Sequence, residues 1–186
     1  MTKTVVDLRN AIYDRLTAAV FAYQYKTTRK TPLPTLQEEQ LPALGVYVLD
    51  GDFVLDGDGN EGDLRFIDDD TIAISVVRAG DMPPDLEIDM AAEFLAIRDA
   101  LFCDAEFTAF GPEMLFESVP RQRRRWLFPS QGDQYWIELR YEITFRRRSR
   151  FEPVIMDDFT KAELVVRQAG SDPDAPPLRV TVIEAQ

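Results

Sequence analysis

Asp56, Asp58 and Asn60 stand at the one-three-five spacing at which an EF-hand loop presents its first calcium ligands. The pattern breaks at the sixth position, where Glu61 replaces the required glycine, and at the twelfth, where Ile67 replaces the bidentate glutamate. A looser set, Asp56, Asp58 and Asp63, has the oxygen chemistry to hold a divalent cation for hydrolysis. Against it stands the run itself, in which Gly51, Gly57, Gly59 and Gly62 alternate with acids as turn sequences do. A solvated hairpin loop without a metal is the expectation. The chain contains no histidine and one cysteine, Cys103. Histidine-based triads, histidine general bases and structural zinc sites are therefore excluded. Cys103 closes a predicted helix near its apolar stripe and reads as a small buried side chain rather than a nucleophile. No catalytic residue and no cofactor is expected. The glycines at 51–62 sit among aspartates that would repel a phosphate.

The other polar constellation is a separation of charge. Residues 50–70 hold nine acids opposed by Arg65 alone. Arg121, Arg123 and Arg125 alternate on one predicted strand, and Arg140, Arg146, Arg147, Arg148 and Arg150 lie on or just beyond its partner. One reading is a solvated face neutralised by local acids. The other is a subunit interface in which Arg121, Arg123, Arg125, Arg140 and Arg146 meet Asp56, Asp58 and Asp63 of a second copy. The net charge of −12 disfavours nonspecific binding to DNA or anionic membranes. The start of the chain reads as lacking a signal peptide, and no apolar run is long enough to span a membrane.

The elements that must position these charges are set by periodicity. From Gln134 to Arg146 the odd positions Tyr135, Ile137, Leu139, Tyr141, Ile143 and Phe145 are large and apolar, while the even positions are polar except Trp136. Side chains alternate across a strand, so this is a long strand with one buried and one wet face. Thr4 and Asp7 form a capping box ahead of a helix over about 4–24, with Val5, Leu8, Ile12, Leu16, Ala19, Val20 and Tyr23 on its stripe. Prolines 32, 34 and 42 make 25–42 an extended connection. Strands follow at 44–49 and 71–78. A second helix spans about 86–103, capped by Asp85, with Leu86, Met90, Phe94, Ile97 and Leu101 on its stripe, widened by Leu95 and Phe102. Phe107–Pro112 reads as a loop, 113–128 as a strand, and 129–133 as the turn into the central strand. The tail, 151–186, carries two short β-prone runs, Lys161–Arg167 and Leu178–Glu184. The predicted class is α+β: a small antiparallel sheet with two main helices packed on one side, and a C-terminal β-hairpin-like extension. The predicted division is 1–150 and 151–186.

This order resembles the tail terminator proteins of long-tailed bacteriophages over roughly residues 4–150. The resemblance rests on the opening helix, the stretch Leu41-Pro42-Ala43-Leu44-Gly45-Val46-Tyr47-Val48, the second helix ending near Cys103 and the long closing hairpin. It implies a non-enzymatic ring, commonly hexameric, assembled in the host cytoplasm and located in the neck of the virion. Such a ring caps the tail tube protein, stops its polymerisation, meets the head-tail connector and passes DNA through its lumen without specific binding. Another neck or tail component, such as a head-completion or tube protein, is the neighbouring alternative. A metal-dependent hydrolase using the 50–70 acids, or a monomeric adaptor, would be a different class of protein.

Overall fold

The strand that begins at Gln134 runs to Phe151, and its alternation decides where the core lies. The structure, a computed structural model, describes residues 4–22, 24–33, 35–57, 64–80, 83–109, 114–128, 130–131, 134–151, 161–166 and 179–184. The chain divides into two units, Met1–Phe151 and Glu152–Gln186. In the first, helices α1 (Val5–Ala18) and α2 (Pro83–Phe102) accompany strands β1 (Thr27–Arg29), β2 (Ala43–Leu55), β3 (Leu64–Gly80), β4 (Ser118–Leu127), β5 (Ser130–Gln131) and β6 (Gln134–Phe151). The sheet order is β1-β2-β3-β6-β4, with β5 pairing the start of β6. Every pairing is antiparallel except the short β1–β2 contact. The class is α+β. In the second unit, β7 (Lys161–Val166) and β8 (Arg179–Glu184) form an antiparallel pair, Lys161 opposite Glu184. No helix among the described residues is long and apolar enough to cross a membrane.

One face of the sheet is covered by the helices. Ile137, Leu139, Tyr141, Ile143 and Phe145 of β6 pack with Ile72, Ile74 and Val76 of β3, Leu44 and Val46 of β2, and the helical stripes Leu8, Ile12, Leu16 and Leu86, Met90, Ile97, Leu101. Each large apolar side chain removed from water contributes about 1.5–3 kcal/mol before ordering costs. The capping box forms as the spacing requires: Asp7 N–H donates to Thr4 Oγ1 at 3.2 Å, and Thr4 N–H donates to Asp7 Oδ2 at 2.7 Å. The turn after α2 is tied back to α1 by Asp104, which accepts from Arg15 Nε at 2.7 Å and from the Glu106 N–H at 2.8 Å. That clamp seats Phe107, which is fully buried against Phe116 and Phe145 although it opens a predicted loop.

On the opposite face, Trp136 is buried with Leu36, Leu41, Ala43 and Val77 in a second, smaller cluster. The proline-bearing connection wraps under this end of the sheet, which is why the one apolar even position of β6 is not wet.

Several boundaries differ from expectation. Helix α1 stops at Ala18, and Val20 is 99% exposed instead of continuing the stripe; Tyr23 lies outside the described residues. Helix α2 begins at Pro83, so Asp85 lies in its first turn rather than capping it. Leu95 faces water, and so does Cys103. Tyr135 is 56% exposed although it falls on the apolar side of the alternation. The 50–70 acids are not one loop: Asp50 and Asp52 lie on β2, and Asp68, Asp69 and Asp70 on β3. Strand 113–128 is shorter, beginning at Ser118.

Phe145 is fully buried and meets the Phe116 ring at 4.9 Å and the Phe107 ring at 6.2 Å. Phe145→Ala is expected to lower unfolding free energy by about 3–5 kcal/mol, measured by urea titration.

Candidate assembly surface

Residues directly opposite one another in paired strands share a face. The β4–β6 register sets Arg121 opposite Thr144, Arg123 opposite Glu142 and Arg125 opposite Arg140. Across β6, Thr144 lies opposite Thr71, and across β3, Thr71 lies opposite Asp50. Arg121, Thr144, Thr71 and Asp50 are therefore one transverse row on the face away from the helices. The Thr71 and Thr144 hydroxyls are 2.9 Å apart, which fixes the row at its centre. A groove of about 180 Å³ runs over this face, lined by Asp50, Arg121, Arg123, Arg125 and Glu142 among others. Further along the same face, Ser75 Oγ donates to Glu138 Oε1 at 3.0 Å, and Arg140 pairs with Glu138 at 2.9 Å.

Past the helices, β2, β3 and β6 continue as an arm formed by Asp50–Leu55, Leu64–Thr71 and Thr144–Phe151, paired in register to its end. Here the arginines of β6 meet the acids of β3 within one chain. Arg146 makes a fork on Asp69, Nε to Oδ1 at 2.8 Å and Nη2 to Oδ2 at 2.7 Å. That bidentate pair holds the Asp69 carboxyl below its ordinary value. Arg147 pairs with the buried Asp70 on the helix-side face. Ser149 Oγ donates to Asp68 at 3.1 Å. Arg148 reaches Asp56 at 3.3 Å and Glu117 at 3.6 Å. Between these pairs the arm exposes Phe53, Val54, Leu55, Leu64 and Phe151.

The sequence-predicted site residues thus separate. Arg140, Arg146 and Asp56 have partners in their own chain, and Arg125 pairs with Glu142 at 3.3 Å. Arg121 and Arg123 are exposed and have no ion pair among the described residues. Asp58, Asn60 and Asp63 lie outside the described residues. Among the described residues no group of three or more acids or cysteines is arranged to hold a metal ion.

Sequence reasoning missed Glu93. It is 4% exposed and accepts from the Tyr25 hydroxyl through Oε1, while Oε2 has no hydrogen-bond partner. A cavity of about 210 Å³ beside it is lined by Phe21, Ala22, Asp89, Ala92 and Ala96. Its spacing was the available signal: Glu93 falls three residues after Met90 and four before Ile97, on the buried stripe itself. Burial pushes its carboxyl up from 4.5 to about 8, and burial also raises the Tyr25 phenol. Asp89, at the cavity wall, is held by Arg78 at 3.0 Å.

No protein-family model matches the chain, and no curated protein matches its sequence.

A carboxyl whose folded value lies above its unfolded value binds more protons in the folded state. Its contribution to stability is full below pH 4.5 and falls as pH rises to about 8. Each pH unit crossed in that window costs the fold on the order of 1 kcal/mol. Glu93→Gln keeps an acceptor for Tyr25 and removes the titration. The variant is expected to match the parent in thermal melts near pH 4.5 and to melt higher at pH 8–9.

Proposed function

We propose that this chain is a non-enzymatic structural subunit of a ring like that of the bacteriophage tail terminators. The ring caps a tail tube, stops its polymerisation and offers the surface that joins head to tail in the neck of the virion. The observation that carries this reading is the arm of β2, β3 and β6. Its strands are paired and cross-linked by Arg146–Asp69, Arg147–Asp70 and Arg148–Asp56, so it is held in shape. Yet it exposes Phe53 at 67% and Phe151 at 58% on a projection the helices do not cover. A shaped projection with wet aromatic and aliphatic side chains gains by burial against other subunits.

The order of helix, strands, helix and long hairpin agrees with the resemblance. The partners follow from it: further copies of the chain, the tail tube protein and the connector of the head. DNA passes through the lumen, and the net charge of −12 keeps the polymer from adhering to the wall.

Light scattering of the purified chain is expected to give a multiple of the 21.3 kDa subunit mass, and negative-stain images a closed ring with a central hole. A single 21.3 kDa species at every concentration, with no ring on isolated tail tubes, would overturn the reading.

A further inference from the structure

The sheet ends in two unlike edges. On one side β1 covers only Ala43, Leu44 and Gly45 of β2, so from Val46 to Leu55 the outer edge of β2 pairs with no described strand. That edge is acidic, with Asp50 and Asp52 both exposed. On the other side β4 pairs β6 alone among the described strands, and its outer edge carries Arg121, Arg123 and Arg124. Exposed edges of this kind are templates for another chain.

We propose that the β4 edge of one copy pairs antiparallel with the β2 edge of the next, so that the sheet runs on from subunit to subunit. This rests on the ring reading and specifies its interface.

Three observations carry it. The first is direction. Strands β2, β3, β6 and β4 alternate in direction across the sheet. A rotation axis lying along the strands therefore brings β4 against the neighbour's β2 in opposite directions, as an antiparallel ladder needs. The second is face. Arg121, Arg123, Asp50 and Asp52 all lie on the face away from the helices, so the basic side chains of one edge and the acidic ones of the other meet on the same side of the joined sheet. The third is charge. A two-fold pairing of β2 with β2 would set aspartates against aspartates, and β4 with β4 arginines against arginines; both are disfavoured. Only the unlike edges match, and an unlike pair of surfaces joins subunits head to tail, as a ring requires, rather than into a closed two-fold dimer.

The register is the one that opposes unlike charges along the part of β4 able to form a regular ladder. Pro120 has no N–H to donate, and the pairing with β6 slips between Ser118 and Arg121. A ladder starting at Arg121 sets Arg121 opposite Asp52 and Arg123 opposite Asp50 of the neighbour. The extra residue in β2 between Val48 and Asp50 ends the regular part of the match.

Two single-cysteine proteins test this, both in a Cys103→Ser background: one with Arg121→Cys, the other with Asp52→Cys. Opposed strand residues come within disulfide reach. Mixed and mildly oxidised, the two are expected to give a cross-linked dimer that neither gives alone. A dimer from either protein by itself would mean like edges pair, and would overturn the proposal. Oligomers in light scattering without the mixed cross-link would overturn the edge pairing and leave the ring reading standing. Monomers alone, on tail tubes as well as free, would overturn both. Independently, the pair Arg121→Glu and Arg123→Glu is expected to abolish self-association with unchanged circular dichroism. Adding an Asp50→Arg, Asp52→Arg protein should restore it in the mixture; failure to restore counts against the register.

Discussion

The register between β3 and β6 is the constraint from which the rest follows. All 17 residues of β3 are paired, from Leu64 opposite Phe151 to Gly80 opposite Tyr135. A slip of one position would carry Ile72, Ile74 and Val76 from the helix side to the wet side and take Asp69 away from Arg146. The apolar half of the ladder thus fixes the charged half. Core burial near the helices sets the register, and the same register delivers Arg146 and Arg147 to Asp69 and Asp70 of β3 and Arg148 to Asp56, just past the end of β2. Surface ion pairs contribute little individually. Here their value is geometric: they occupy the polar side chains of a projection whose Phe53, Val54, Leu55, Leu64 and Phe151 stay exposed.

Much of this frame was legible because alternation is a local signal. Positions 137 to 145 report their own burial, and Thr4 with Asp7 reports a helix start, without knowledge of the rest of the chain. What was not legible depended on partners far away. Trp136 breaks the alternation, and its burial depends on the distant connection carrying Leu36 and Leu41 that packs against it. The acids at 68–70 read as loop because charge suggests solvent, yet the arginines that neutralise Asp69 and Asp70 lie 77 residues on. Glu93 occupies a stripe position at which a carboxylate conflicts with burial; the structure resolves the conflict with Tyr25 and a raised carboxyl. Cys103 and Leu95 erred the other way, since a helix end near an apolar stripe still has an outer side.

An open sheet whose long outer edges pair with no further described strand is normally a hazard, because either edge can recruit any passing strand. Proteins commonly blunt such edges with charge, and charge of one sign on both edges would serve. This sheet instead carries acids at one edge and arginines at the other, on a shared face. That arrangement suppresses pairing of like edges as fully as uniform charge would, but it leaves one combination attractive. Whether such a combination runs on as a filament or closes depends on the rotation between neighbours. A twisted sheet extended edge to edge turns by a fixed hand at each step, so the rotation is built into the strands themselves.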